Sequence, residues 1–159
     1  MKTKWKEKWQ RASQLARILA ICGVIVLCLA ALVGYNLYLG NTFSTRIDLQ
    51  SSDDYSENEL QDALSTVLKD FRHEYPRCEL VDLWYTDKYN SDRRRDLAHQ
   101  YDAENAVVLS SNVWVGGAGA RTAAGDALDA DTFYSDYRWI LVRESEDGKW
   151  HIVANEVTT

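Results

Sequence analysis

The chain has 159 residues, a formal net charge of −6 and three cysteines, which leaves room for one domain and an additional segment. Its acidic balance repels polyanions and argues against nucleic acid as a partner. Cys22 and Cys28 lie inside an apolar run and Cys78 stands alone beyond it, so a disulfide framework is excluded as well.

That apolar run comes first in the chain. Residues Ile18 to Tyr35 comprise only Ile, Leu, Ala, Cys, Gly, Val and Tyr, and no formal charge falls between Arg17 and Arg46. A helix over 18–39 would rise roughly 33 Å at ~1.5 Å per residue, enough for a hydrocarbon core of ~30 Å. Before the run stand six basic residues against Glu7, a net of +5; beyond it stand 12 basic and 23 acidic residues, a net of −11. Lys and Arg beside a span are retained in the cytoplasm. The sequence therefore predicts a single-pass protein of the cell membrane, its N-terminus cytoplasmic and its C-terminal domain outside. Tyr35 and Tyr38 suit the outer interface, and Trp5 and Trp9 the inner one. The run exceeds a signal peptide's apolar region of about 7–15 residues, and no small-x-small site follows it, which favours an uncleaved anchor. The bulky residues before Cys22 and Cys28 argue against lipoprotein processing. The expected organisation is a basic tail over 1–17, a transmembrane helix over 18–39, a tether over 40–55 with a short strand at Thr45–Leu49, and a domain over 56–159.

Ser56 and Glu59 form a capping box at a helix start. Leu60, Ala63, Leu64, Val67, Leu68 and Phe71 then recur on one helical face, and Pro76 closes the region. Glu79–Tyr85 reads as a strand with Leu80, Asp82 and Trp84 on one face and Val81, Leu83 and Tyr85 on the other. Ser91 can cap a short helix over Asp92–Tyr101. Ala106–Val115 is a second strand whose apolar face holds Val107, Leu109, Val113 and Val115. Gly116–Asp131 lacks any period and reads as a mobile loop. Tyr137–Glu144 and Lys149–Val157 form a hairpin around Ser145-Glu146-Asp147-Gly148, with the glycine expected at positive φ. This order predicts an α+β domain in which the long helix packs on a curved antiparallel sheet. The hairpin is apolar on both faces. Trp139, Leu141, Trp150 and Ile152 share one parity; Ile140, Val142, Val153 and Val157 share the other. The second face needs a cover, which predicts a homodimer or protein partner there, or else the helix after Ser91.

The helix over Glu57–Phe71, Cys78-Glu79-Leu80 leading to Trp84-Tyr85, Val108-Leu109-Ser110-Ser111, and the run Tyr134-Ser135-Asp136-Tyr137-Arg138-Trp139-Ile140-Leu141-Val142-Arg143 followed by Gly148-Lys149-Trp150 resemble a family of small extracytoplasmic domains. It is a domain-of-unknown-function family (DUF4829-type), found mainly in Gram-positive bacteria, often behind a signal or anchor. The resemblance covers roughly 56–157 and implies an NTF2-like, cystatin-like cone. It carries over no catalytic residues.

Candidate chemistry is sparse. His73, His99 and His151 are scattered without further ligands, so no metal site is predicted. Asp126, Asp129 and Asp131 have oxygen donors for Ca²⁺ but lack the glycine and distal Glu of an EF-hand loop. Arg93-Arg94-Arg95 sits between Asp92 and Asp96 and reads as a helix face with internal ion pairs. Ser110-Ser111 lacks a nucleophile elbow. The aromatics near the strands are the unusual feature, and Trp139, Trp150 and Arg143 are the candidate ligand-binding residues at the mouth of a cone. The expected function is a non-enzymatic binding or assembly module without cofactors. The alternatives are a scaffold subunit of a secretion or conjugation machine, as in VirB8-like proteins of the same layout, or an enzyme using the cone pocket.

Overall fold

The structure, a computed structural model, describes residues 2–122 and 127–157. The chain divides after Tyr38 into two units. The first holds one helix, α1 (Lys2–Tyr38). From Leu19 to Tyr35 every residue of α1 is exposed, and those side chains are apolar and uncharged all round. Among the described residues no helix is long and apolar enough to cross a membrane. The described side chains of α1 run unbroken only over those 17 residues, while Ile18, Asn36 and Leu37 at the ends of the expected span lie outside the described side chains.

The second unit, from Leu39 onward, is a mixed α+β domain. Its strands β1 (Arg46–Leu49), β2 (Cys78–Tyr85), β3 (Asn105–Val115), β6 (Thr132–Arg143) and β7 (His151–Val157) form a curved sheet in the order β1-β2-β3-β6-β7. β2, β3, β6 and β7 are antiparallel as expected. β1, by contrast, runs parallel to β2, Arg46 facing Asp82 and Leu49 facing Tyr85. The expected tether is thus largely part of the domain. A small ribbon, β4 (Ala120–Arg121) with β5 (Ala127–Leu128), occupies the segment expected to be a loop.

Helix α2 (Glu57–Glu74) begins at the predicted capping box. The Ser56 amide donates to Glu59 Oε2 at 2.8 Å, and the Glu59 amide donates to Ser56 Oγ at 3.3 Å. Its predicted apolar stripe packs on one face of the sheet, against Leu80, Leu83, Tyr85, Val107, Leu109, Val113, Trp139 and Leu141, with all but the half-buried Leu68 fully buried. Each such Leu, Val or Phe contributes roughly 1.5–3 kcal/mol by leaving water. The helix stops at Tyr75, and Arg77 at φ 65° turns the chain into β2.

Three irregularities set which side chains reach this core. The β2–β3 register shifts between Leu80 and Asp82. Leu80 therefore joins Leu83 and Tyr85 in the core, contrary to the strict alternation read from the sequence. A second shift lies between Ser111 and Val113. The third, at Ile140/Leu141, leaves Val153 without a partner in the β6–β7 register, as one extra residue does in a bulge. The turn Ser145–Gly148 closes with Gly148 N donating to Ser145 O at 2.8 Å. Gly148 is not at positive φ. Its glycine is explained by crowding, because a Cβ there would lie 2.9 Å from Ser145 O.

Helix α3 (Asp87–Gln100) starts five residues before the expected position, after Thr86 rather than Ser91. Leu97 and Ala98 pack on Ala106, Val108, Ile140 and Val142. The second sheet face is therefore covered by α3 where β3 begins and β6 ends, which is the alternative to a partner foreseen above. Further along the same two strands, Trp114 and Phe133 remain exposed.

Candidate functional site

The three predicted site residues divide. Trp139 is fully buried at the centre of the core. Its Nε1 donates to Ser111 Oγ at 2.8 Å, and Ser111 Oγ donates to the Tyr137 carbonyl at 3.1 Å. Phe71 and Tyr75 meet its ring edge-on, with centroids 6.2 and 5.2 Å away. Tyr75 and Tyr137 share a hydroxyl–hydroxyl bond of 2.9 Å, and Asn155 Nδ2 donates to the Tyr75 hydroxyl at 2.8 Å. The interior around Trp139 is thus packed with aromatics whose polar atoms all have hydrogen-bond partners.

Arg143 and Trp150 do come together, with Glu59, read from the sequence only as a helix cap, and with Tyr55, which the sequence did not single out. Arg143, 5% exposed, donates from Nη2 to Glu59 Oε1 at 2.5 Å. Its guanidinium lies 4.7 Å from the Trp150 ring centroid and 6.0 Å from that of Tyr55. Trp150 Nε1 donates to the Glu59 carbonyl at 3.1 Å, and the Trp150 and Tyr55 rings meet edge-on at 5.8 Å. Glu59 therefore caps α2 and holds Arg143 with one carboxylate. Its pKa is lowered, first by the Ser56 amide and hydroxyl and then by the Arg143 guanidinium, against the opposing effect of burial. Burial raises the pKa of the Tyr55 hydroxyl, which donates to the Ala106 carbonyl at 2.9 Å.

This cluster stands at the rim of a groove of about 1170 Å³ between α2 and the β6–β7 hairpin. Asp62, Lys69, Asp70, His73 and Glu74 line it from α2; Glu146, Asp147, Lys149 and His151 line it from the turn and β7. Asp70 has a raised pKa, chiefly from burial and secondly from Glu74. His73 and His151, far apart in sequence, share the groove, whereas His99 is exposed on α3. The surface is polar, open and of mixed charge. It suits a complementary polar segment better than a small apolar ligand.

Among the described residues no group of three or more His, Cys, Asp or Glu side chains is placed to hold a metal ion; Asp126 lies outside the described residues. Arg94 pairs with Asp54 at 2.7 Å, and Arg93 donates to the Tyr89 hydroxyl and lies over its ring. The Asp92 side chain, the partner expected for Arg95, is outside the described ones. Cys78 is buried, and desolvation pushes its thiol up to about 11, as an inert core thiol requires.

Compared with protein-family models, with curated proteins and with solved structures, the chain finds no match. The class that the structure defines is α+β, with a helix-covered curved sheet.

Proposed function

We propose that this protein is a membrane-anchored, extracytoplasmic binding or assembly module, without catalytic activity, built on an NTF2-like domain. The observation that carries the reading is α1. Its 17 described residues Leu19–Tyr35 are apolar and exposed on every side, and a helix apolar all round belongs in a protein core or a bilayer. The uncharged sequence continues to Arg46, so a span over 18–39 is long enough. The basic residues before it and the acidic domain after it put the N-terminus in the cytoplasm.

The non-catalytic part of the reading is supported by what the perturbed groups do. Glu59 caps a helix and holds Arg143, Tyr85 bonds Ser52 and Asp87, and Asp82 bonds Asn112 and Arg46. Each of these three is bound into the scaffold, whereas Asp70, its pKa raised by burial, lines the groove. The groove beside α2 then offers a recessed polar surface for a partner. Alkaline carbonate extraction of membranes tests the anchor: the chain should stay with the lipid pellet, and release with peripheral proteins would overturn the reading.

A further inference from the structure

Resting on the reading of the groove beside α2 as a partner surface, we infer that it takes an extended, basic peptide, which adds as a further strand to the open edge of β7. α2 and β7 run side by side in the same direction. Trp150, just before β7, donates to the Glu59 carbonyl in the first turn of α2 at 3.1 Å. Asn155, late in β7, donates to the hydroxyl of Tyr75, the residue that caps the end of α2, at 2.8 Å. From Trp150 to Asn155 the chain advances roughly 17 Å at ~3.4 Å per residue. The groove lies along that stretch, lined by α2 on one side and by the start of β7 on the other.

β7 stands last in the sheet order and pairs with β6. In an antiparallel end strand every other residue turns its N–H and C=O away from its one neighbour. Consecutive strand residues point to opposite faces, yet His151 and Ile152 both line the groove, so the groove passes the edge itself. Sheet edges are commonly blunted by shortness, lysine or proline. β1, at the other edge, is four residues long, whereas β7 has seven residues and neither Lys nor Pro. Beyond the bulge at Val153, Ala154–Val157 keep regular register with β6.

The charge of the groove selects the occupant. Asp62, Asp70 and Glu74 from α2 and Glu146 and Asp147 from the turn stand against Lys69 and Lys149, a net of −3 with the histidines neutral and the Glu59–Arg143 pair counted as zero. Among the described residues none of these five carboxylates is in an ion pair. Burial and Glu74 both raise the pKa of Asp70, and a cation beside it offsets both. A second copy docked edge to edge would bring two acidic grooves together, which like-charge repulsion opposes. A basic strand instead gains main-chain hydrogen bonds from β7 and sets its cations against the acids of α2.

The test titrates the full chain, in detergent micelles, with a labelled peptide of alternating Lys and Thr, read by fluorescence anisotropy. The peptide is about eight residues long, enough to pass both ends of the stretch. Replacing its Lys by Glu should weaken binding by about tenfold or more, as should Asp62→Asn, Asp70→Asn and Glu74→Gln together in the chain. Two further peptides are N-methylated at every Lys or at every Thr, and only one of these rows can face β7. One should lose binding by a similar factor and the other keep it. These peptide arms need no altered chain and decide the case in which the triple variant misfolds. Equal behaviour of the two methylated peptides, with the triple variant still weakening the parent, overturns strand addition and leaves the groove as a partner surface. If the folded triple variant binds unchanged, or no peptide binds up to about 1 mM, the groove reading fails with it, while the anchor stands or falls by extraction.

Discussion

Arg143 sits between two aromatic rings and one carboxylate, and its buried Nε has no hydrogen-bond partner. A residue held so closely is a strut between the end of β6 and the start of α2. Arg143→Ala should lower the domain's stability by about 2 kcal/mol, below the usual cost of breaking a buried pair because Glu59 keeps water and its Ser56 bonds. Trp139→Ala should cost more, on the order of 3–5 kcal/mol. Urea midpoints of the two variants give the comparison, and an unchanged midpoint for Arg143→Ala would contradict the strut. Glu59 adds a pH dependence. Its folded pKa lies below its unfolded one, so its contribution is present at neutral pH and fades as the pH falls through the glutamate range toward the folded value. Ser56→Ala leaves the Ser56 amide, the largest cause of that shift, and removes the hydroxyl, the second largest. It should cost ~1 kcal/mol at neutral pH and flatten the loss of stability on acidification; an equally steep loss in the variant would count against the assignment. The sequence made part of this legible. Parity put Trp139 and Trp150 on the same face, where both are found. Parity does not give height, however. Trp139 pairs with Asn155 and Val142 with His151, three residues further along β6 and roughly 10 Å away, so one tryptophan fills the centre while the other closes the rim. Glu59, 84 residues from Arg143, left no local sign of its second role.

At the scale of elements, α2 and the hairpin were readable because cap, period and turn are local signals. The early start of α3 was not. Thr86 gives it no side-chain cap, and what fixes its first turns is Asn90, a buried amide that acts across space. Asn90 Oδ1 accepts from the Val108 amide at 2.7 Å, and Nδ2 donates to the Val108 carbonyl at 3.0 Å. β2 has ended by then, since its last partner on β3 is Ser110 opposite Trp84. The Asn90 side chain thus takes the place of a missing strand residue. Asn90→Ala should leave two buried backbone groups unpaired, at roughly 1–3 kcal/mol each. Hydrogen exchange should then show α3 opening ahead of α2; uniform protection across both helices would contradict it. The bulges at Val81 and Val153 were equally invisible, because one extra residue shifts every later side chain to the other face without altering composition.

For the whole molecule, the central claim is a division by sides: a basic end within the cell, an apolar helix through the bilayer, and an acidic α+β domain outside. The charge asymmetry of +5 before the run and −11 beyond it carries the orientation, and the exposed apolar surface of α1 carries the anchor. Paired fusions after Thr159 test both together. A reporter active only outside the membrane should be active, and one active only in the cytoplasm should be silent. Neutralising Lys2, Lys4, Lys6, Lys8, Arg11 and Arg17 together should then weaken that contrast. A cytoplasmic reporter active on the unaltered chain, with its external counterpart silent, would contradict the account.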